Sequence, residues 1–371
     1  MAKRMVFLWD NFGPMHADRC ETVALSDPTA QVIGLELCEK SDVYDWEPEA
    51  GTAFKKVTLF RRDKLPNSLV VLRALIRHRN SQGRAAWFLC HYDKTVVLAF
   101  ALYLRLRGDS VYVMGCSKFD DHPRKPWREW LKSFYLWPYQ GAIGSSNRSR
   151  AYFQFLGVPP SRILGEYNTV SLSRIRRLAE SEPAPKGAPF EARDFVIVAR
   201  LQPKKNLATA IDAFALYVET AENPRKLHIC GSGPLEAELR TKVRSLGLSQ
   251  AVEFHGFVQT EGIAKRLANS LALLLPSTEE QYGNVVIEAQ AMGVPAIIST
   301  ACGAADVLIQ NGLNGFIIDP NSPQSLSRFM TRLAEDKALW EAMANASLER
   351  APLNDVKAFA NAAHQLAGTS R

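Results

Sequence analysis

LALLLPSTEEQYGNVVIEAQAMGVPAIIST, residues 271–300, decides the fold. An apolar run, Leu271 to Leu275, ends at Pro276-Ser277 and reads as a strand buried on both faces. A polar loop with a Tyr-Gly turn follows. The spacing predicts a helix from near Asn284 through IEAQAM until Gly293 and Pro295 stop it. AIIST (296–300) then starts another strand. Strand, loop, helix and strand make the repeating unit of a parallel sheet.

The alternation runs outward in both directions. Upstream in the second half lie strand DFVIVARL (194–201), helix LATAIDAFALYVETA (207–221) and strand KLHICGSG (226–233). Helix PLEAELRTKVRSLGL (234–248), strand VEFHGF (252–257) and helix TEGIAKRLANS (260–270) complete the approach, and strand GFIID (315–319) lies downstream. The first half offers strands MVFLW (5–9), AQVIGLEL (30–37), KVTLF (56–60), AAWFLC (85–90), SVYVMG (110–115) and QGAIGS (140–145). Helical segments such as 68–79 and 94–108 fall between them. ESEPAPKGAPFEAR (180–193) lacks apolar period and reads as a surface connection near a domain boundary. The fold class expected is α/β, with two doubly wound units and a cleft facing the carboxyl ends of both sheets. The expected domains are 1–168 and 169–353, with a final helix around 354–371 packing back on the first.

Composition fits that reading. The chain has 371 residues, 47% apolar and 22% charged, enough for two cores. The six cysteines form no CxxC pair, so metal and redox chemistry have no motif to rest on, and a reduced cytosolic setting is expected. MAKRMVFLWDNFG has too short an apolar run for a signal peptide or a span and reads as a buried strand. Net charge is +7, unevenly placed: residues 1–165 hold 24 Lys+Arg against 16 Asp+Glu, and the remainder hold 21 against 22. A basic first half suits an anionic partner or is simply a solvated surface. Nucleic acid is not expected, since nothing beyond this charge points to it.

Glu280 lies in the loop at the carboxyl end of the strand 271–275, and Glu288 follows about a helical turn later. Gly283 permits close backbone approach. Carboxylates accept hydrogen bonds from sugar hydroxyls, whereas the first N–H groups of a helix favour an anion. Together they suit a ligand with polyol at both ends and phosphate between, the layout of a nucleotide sugar. The bland alternatives are a solvated loop acid and an acid placed by the helix dipole. VARLQPKKN puts Arg200 after a strand and Lys205 before a helix, where both can grip phosphate oxygens and stabilise a departing diphosphate. CGSGP brings Gly231 and Gly233 to another strand-to-helix turn. Either a flat base lies against that backbone or the turn simply packs tightly.

In this order, VARLQPKKN, LHICGSGPLEAELR, VEFHGFV, PSTEEQYGNVVIEAQAMGVPAI and GLNGFII resemble the retaining glycosyltransferases of family four. The resemblance spans about residues 194–320. It implies the GT-B architecture, two Rossmann-like domains with a cleft between them. It implies that Arg200 and Lys205 bind the donor diphosphate, Glu280 meets hydroxyls of the transferred sugar and Glu288, closing an E-x7-E pair, holds the ribose. Tyr282, Gly283, Asn284 and Val285 would line the donor, with backbone amides of Gly283 and Asn284 near sugar and phosphate. Ala199 departs from the glycine usual before the Arg-Leu pair.

The resemblance weakens before residue 160. WDNFGPMHADR (9–19) occupies the place of a glycine loop near the donor phosphates, a role Gly13 can fill. His16, Asp18 and Arg19 are then polar groups at the cleft mouth, and His16 is a candidate proton relay or acceptor contact. Where the family often carries a His, this chain has CSKFDDHPRK: Cys116, Ser117 or Lys118, then Asp120, Asp121 and His122. Asp120 or Asp121 orients an acceptor hydroxyl, or Asp121 caps the next helix. His91, ending a strand, is a further candidate. In RKPWREWLKSFYLWPYQG (124–141), Trp127, Trp130, Leu131 and Phe134 share a helical face beside Arg124, Lys125, Arg128 and Lys132. That face either contacts an anionic membrane, through residues 124–139, or packs on the core. EYNTVSLSRI (166–175) stands where the crossing between domains begins.

The resemblance implies retaining transfer of a hexose from a UDP- or GDP-linked sugar to a saccharide or lipid-linked acceptor. The nucleotide sugar is a substrate; no cofactor and no metal are expected. The setting would be cell-surface polysaccharide or lipopolysaccharide biosynthesis, in the cytoplasm or on the cytoplasmic face of the inner membrane. The alternatives are a silent nucleotide-binding partner of a membrane-associated transferase and a GT-B sugar-nucleotide epimerase.

Overall fold

The computed structural model describes residues 3–39, 51–61, 65–121 and 123–368. It divides into two compact units, Met1–Ser171 with Asn354–Arg371, and Leu172–Leu353.

The first unit is built on β1 (Arg4–Trp9), β2 (Gln31–Cys38), β3 (Lys55–Phe60), β4 (Ala86–Leu89), β5 (Ser110–Gly115), β6 (Ala142–Gly144) and β7 (Ile163–Leu164). All neighbours pair in parallel, in the order β3-β2-β1-β4-β5-β6-β7. Its helices are α1 (Pro14–Ser26), α2 (Ser68–Gln82), α3 (Thr95–Leu106), α4 (Pro126–Leu136) and α5 (Asn147–Phe155). Strand side chains alternate between two cores because the pleat has period two. Val6, Leu8, Trp87, Leu89 and Val113 face the side of α2, α3 and α5. Met5, Phe7, Phe88, Tyr112 and Ile143 face the side of α1.

The second unit opens with α6 (Leu172–Ala179) and holds β8 (Asp194–Val198), β9 (Leu227–Cys230), β10 (Val252–Gly256), β11 (Ser270–Leu275), β12 (Ala296–Ser299) and β13 (Gly315–Ile318). Again all pair in parallel, in the order β10-β9-β8-β11-β12-β13. The helices are α7 (Leu207–Thr220), α8 (Glu236–Ser245), α9 (Thr260–Ala268), α10 (Val285–Ala291), α11 (Pro323–Glu335) and α12 (Lys337–Arg350). Phe195, Ile197, Leu227, Ile229 and Ile297 meet Phe214, Leu326 and Trp340 in one core. The chain then returns to the first unit as α13 (Val356–Gly368), which packs on α1. Phe359, Ala363 and Leu366 join the core there, and Tyr112 Oη donates to the Leu366 carbonyl at 2.7 Å.

Three expectations change. The segment 180–193 is no loose surface connection: Ala184 is fully buried, Phe190 nearly so, and Arg193 is sealed beneath them. Arg193 donates to the carbonyls of Ala188, Ala268, Ser270 and Lys186 at 2.8–3.1 Å and lies over Trp340. One guanidinium therefore satisfies a loop that has no ladder of its own. The stretch after β1 is a helix from Pro14, not a loop, and Arg19 is 1% exposed rather than at a mouth. It donates to Thr169 and stacks on Tyr167. Asp121 does not cap α4, whose N-cap is Lys125; its carboxylate accepts the Lys118 N–H at 2.8 Å and pairs with the Lys118 ammonium.

Candidate functional site

In the second sheet the strand order reverses between β8 and β11, and such a switch point at the carboxyl ends is where doubly wound sheets bind ligands. The loop after β8 carries Arg200 and Lys205, and the loop after β11 carries Glu280. Asn206 joins the two loops. It holds φ +57°, and its side-chain amide donates to the carbonyls of Pro276 and Pro320 at 3.1 and 2.7 Å. An asparagine tolerates the left-handed region that most side chains avoid. Its neighbour Lys205 makes an ion pair with Glu280, both side chains being largely buried. Beside it, Lys204 pairs with Glu279 at 3.1 Å, and the Lys204 carbonyl accepts the Thr278 N–H at 2.9 Å. Arg200 is half-buried on the same loop.

The two glycines of CGSGP are spent on backbone packing. A Cβ at Gly231 would stand 1.9 Å from the Ala199 carbonyl oxygen, and one at Gly233 2.5 Å from that of Leu201. Leu201 N–H donates to Ser232 and Leu235 N–H to Leu201, at 2.9 and 3.1 Å. The turn thus fixes the loop on which Arg200 rides.

Glu280 is anchored through its backbone, where its carbonyl accepts the Gly303 N–H at 3.0 Å. Gly283 holds φ +100°, a conformation natural to glycine. The Tyr282 ring is buried, and its backbone carbonyl accepts from the Ala304 N–H and the Cys302 thiol. Asn284, Val285 and Glu288 are half-buried at the start of α10, a helix of only 7 residues. The structure therefore brings Arg200, Lys205 and Glu280 to one edge of the sheet, beside Gly231 and Gly233. The arrangement holds two cations and a carboxylate already compensated by one of them. An incoming phosphate can take over the Lys205 ammonium and release Glu280 to accept a hydroxyl.

The first sheet has its own reversal, between β1 and β4. Gly13, buried and with φ −112°, caps α1. His16 lies in the first turn, where its Nδ1 accepts the Gly13 N–H at 3.0 Å, which leaves the proton of the neutral ring on Nε2. Burial and the charges of Arg19 and His91 push its pKa well below the usual imidazole value. Asp10, which the sequence did not single out, follows β1 and binds Lys94 at 2.5 Å and His91 Nε2 at 3.4 Å. His91 holds φ +57°, unusual for a side chain of its size, and burial lowers its pKa against the pull of Asp10. Asp120 sits on a different loop, after β5. Its carboxylate pairs with Arg148 at 2.7 Å and Lys118 at 3.4 Å. Burial raises its pKa, but those two cations outweigh it and hold Asp120 ionised. His122 lies outside the described residues.

The face of α4 is not a core face. Trp127, Trp130, Phe134 and Trp137 are 58, 63, 54 and 80% exposed. Arg128 lies over Trp127, and the Glu129 carboxylate is buried against Tyr152, Lys132 and Arg124. Among the described residues no helix is long and apolar enough to cross a membrane.

Residues 179–350 match the family of glycosyl transferases group 1. A D-inositol 3-phosphate glycosyltransferase of Streptomyces griseus is 30% identical over 173 residues, 44% of this chain and 36% of that protein. A putative colanic acid biosynthesis glycosyltransferase, WcaL, of Salmonella typhimurium is 30% identical over 186 residues, 48% of this chain and 43% of that one. The match thus spans less than half the length of either relative. The structure of Anabaena HepE in complex with UDP is similar across 99% of both chains, with TM-score 0.71 and 18% identity. That likeness shows the fold, two parallel-sheet α/β units of GT-B type.

Proposed function

We propose that the chain is a glycosyltransferase that moves a hexose from a UDP- or GDP-linked sugar to a saccharide or lipid-linked acceptor, with retention at the anomeric carbon and without a metal. The observation that carries the reading is the Lys205–Glu280 ion pair beside Arg200 at the β8/β11 reversal. Arg200 and Lys205 hold the diphosphate and stabilise the charge it gains on leaving. Glu280 positions the sugar through a hydroxyl, and Glu288 takes the ribose. The bond from the anomeric carbon to the diphosphate oxygen breaks as that carbon bonds to the acceptor oxygen. The acceptor proton passes to the departing diphosphate. The protein's share is positioning and charge stabilisation. On the first unit, His16, His91 and Asp120 are the residues we assign to acceptor recognition.

The names of the relatives support a place in cell-surface polysaccharide or lipopolysaccharide synthesis. The exposed aromatic face of α4, flanked by Lys125, Arg128 and Lys132, suits peripheral contact with the anionic cytoplasmic leaflet, because tryptophan sits well at the headgroup level and the basic groups meet its charge.

Glu280→Ala tests the reading. Sugar transfer is expected to be lost while nucleotide affinity stays close to the parent value. Undiminished turnover would remove Glu280 from the chemistry, and a parallel loss of nucleotide affinity would make it a structural partner of Lys205.

A further inference from the structure

On the outer edge of the second sheet, two imidazoles and a carboxylate converge. His228 lies on β9 directly opposite Glu253 on the edge strand β10. His255 is two residues further along β10, so the pleat sends it to the same side as Glu253. The register shifts between Phe254 and Gly256, which makes His255 the extra residue of a bulge. Bulges at sheet edges re-aim side chains. Here His255 Nε2 comes within 3.0 Å of His228 Nδ1. Glu253 Oε2 lies 3.5 Å from His228 Nδ1 and 3.9 Å from His255 Nε2.

Those separations form a triangle with a chemical meaning. Ligands bound to zinc at about 2.0–2.1 Å in a tetrahedron stand about 3.3 Å apart. The observed edges bracket that value, so little movement would seat an ion. Two imidazoles and one carboxylate are a donor set zinc accepts with its fourth position open. Glu253 is 41% and His255 25% exposed at the side chain, so solvent can reach that position. Magnesium and calcium, which take oxygen ligands, are poorly served by two imidazoles.

The surroundings are also those of a metal ligand set. His228 is buried, and its other nitrogen, Nε2, meets Asp194 Oδ2 on β8 at 3.1 Å. A carboxylate on the far nitrogen fixes the tautomer and turns Nδ1 toward the ion. Asp194 is itself held in place, its Oδ1 accepting the Lys226 N–H at 2.8 Å. Lys226 engages Glu253 Oε1 at 2.8 Å, which leaves Oε2 for the ion. Arg266 opposes a cation electrostatically, as do Lys226 and, beside Asp194, Arg225. The carboxylates of Glu253 and Asp194 offset them.

We propose that His228, His255 and Glu253 form a zinc site that clips the edge strand β10 to β9, with Asp194 as its positioning residue. The ion takes the place of the hydrogen bond between the two imidazoles, and the His255 proton moves by way of solvent from Nε2 to Nδ1 of the same ring. The site fixes the end of β10, where the Gly256 carbonyl accepts the Gly231 N–H at 2.7 Å.

The test uses the full chain, stripped of metal and titrated with zinc chloride, with melting temperature and calorimetry as readouts. One ion is expected to bind per chain and to raise the melting temperature, because it binds the folded state. His255→Ala and Glu253→Gln, both at partly exposed positions, should abolish the saturable binding and the thermal shift. Asp194→Asn should weaken zinc by about 10- to 100-fold. Cobalt in place of zinc should give the visible bands of a tetrahedral nitrogen and oxygen site. A wild-type chain that binds no zinc would overturn the proposal, as would variants that bind like the parent. A cobalt spectrum with thiolate charge transfer would also overturn it, by placing the ion on cysteine.

Discussion

The two sheets share one arrangement, β2-β1-β4 in the first unit and β9-β8-β11 in the second, yet their carboxyl edges are built differently. In the second, glycines let backbone nest against backbone, and cations arrive already paired with carboxylates. In the first, His16 packs against the rings of Trp9 and Phe12, and a single carboxylate, Asp10, is shared by Lys94 and His91. One edge holds its cations in ion pairs with carboxylates. The other is organised to keep imidazoles neutral.

The sharpest way to break the comparison is to fill the nest. Gly231→Val puts side-chain carbon within 1.9 Å of the Ala199 carbonyl and at φ +148°, so backbone must move. We expect a loss of about 3 kcal/mol, at the upper end of overpacking costs, read as a lower urea midpoint. An unchanged midpoint would mean the loop carrying Arg200 is not held by that turn.

This second edge was the more legible from sequence. Arg200, Lys205 and Glu280 each follow a strand end closely, so local spacing places them at one edge once the sheet is parallel. What spacing could not give was the fastening. Asn206 looks like any loop asparagine until Pro276 and Pro320 are folded beside it. The Tyr282 ring, in the middle of the informative stretch, turns inward. In the first unit the determining contacts are distant in sequence. Arg19 is buried by Thr169, 150 residues away, and no local pattern announces that. His228 and His255 are 27 residues apart on neighbouring strands, without the short spacing by which metal motifs are recognised. For α4, periodicity gave the aromatic face but not what it faces; exposure decided against the core.

Asn206→Ala sharpens the comparison next. It removes two hydrogen bonds to carbonyls and leaves alanine in the left-handed region, for a cost of about 2–3 kcal/mol. Asn206→Gly should recover the backbone part of that loss and not the bonds. Equal melting of the two variants would assign the whole effect to hydrogen bonding.

On the first edge the expected effect is a pH dependence. The folded pKa values of His16 and His91 lie below the ordinary 6.5. As pH falls below about 6.5 the unfolded chain takes up protons first, so stability falls with pH until the folded groups also protonate. His16→Gln should flatten melting temperature between pH 7 and pH 5 by about one histidine's share. A slope identical to the parent would show that His16 takes up its proton as readily in the folded chain as in the unfolded one.

The smallest effect on stability belongs to α4. Trp130→Ser should change stability by no more than about 0.5 kcal/mol, since the ring is exposed. It should nevertheless reduce co-sedimentation with phosphatidylserine vesicles. A large drop in melting temperature would return the face to the core, and unchanged sedimentation would remove the membrane contact.

The second edge is proposed to hold a nucleotide diphosphate. Calorimetric titration with UDP, GDP and ADP, for the parent chain and an Arg200→Ala/Lys205→Ala double variant, addresses it most directly. Selective binding to UDP or GDP is expected, weakened by about 100-fold or more when the two charge-assisted partners are removed. Binding of equal strength in the double variant, or no binding of any of the three by the parent, would contradict it.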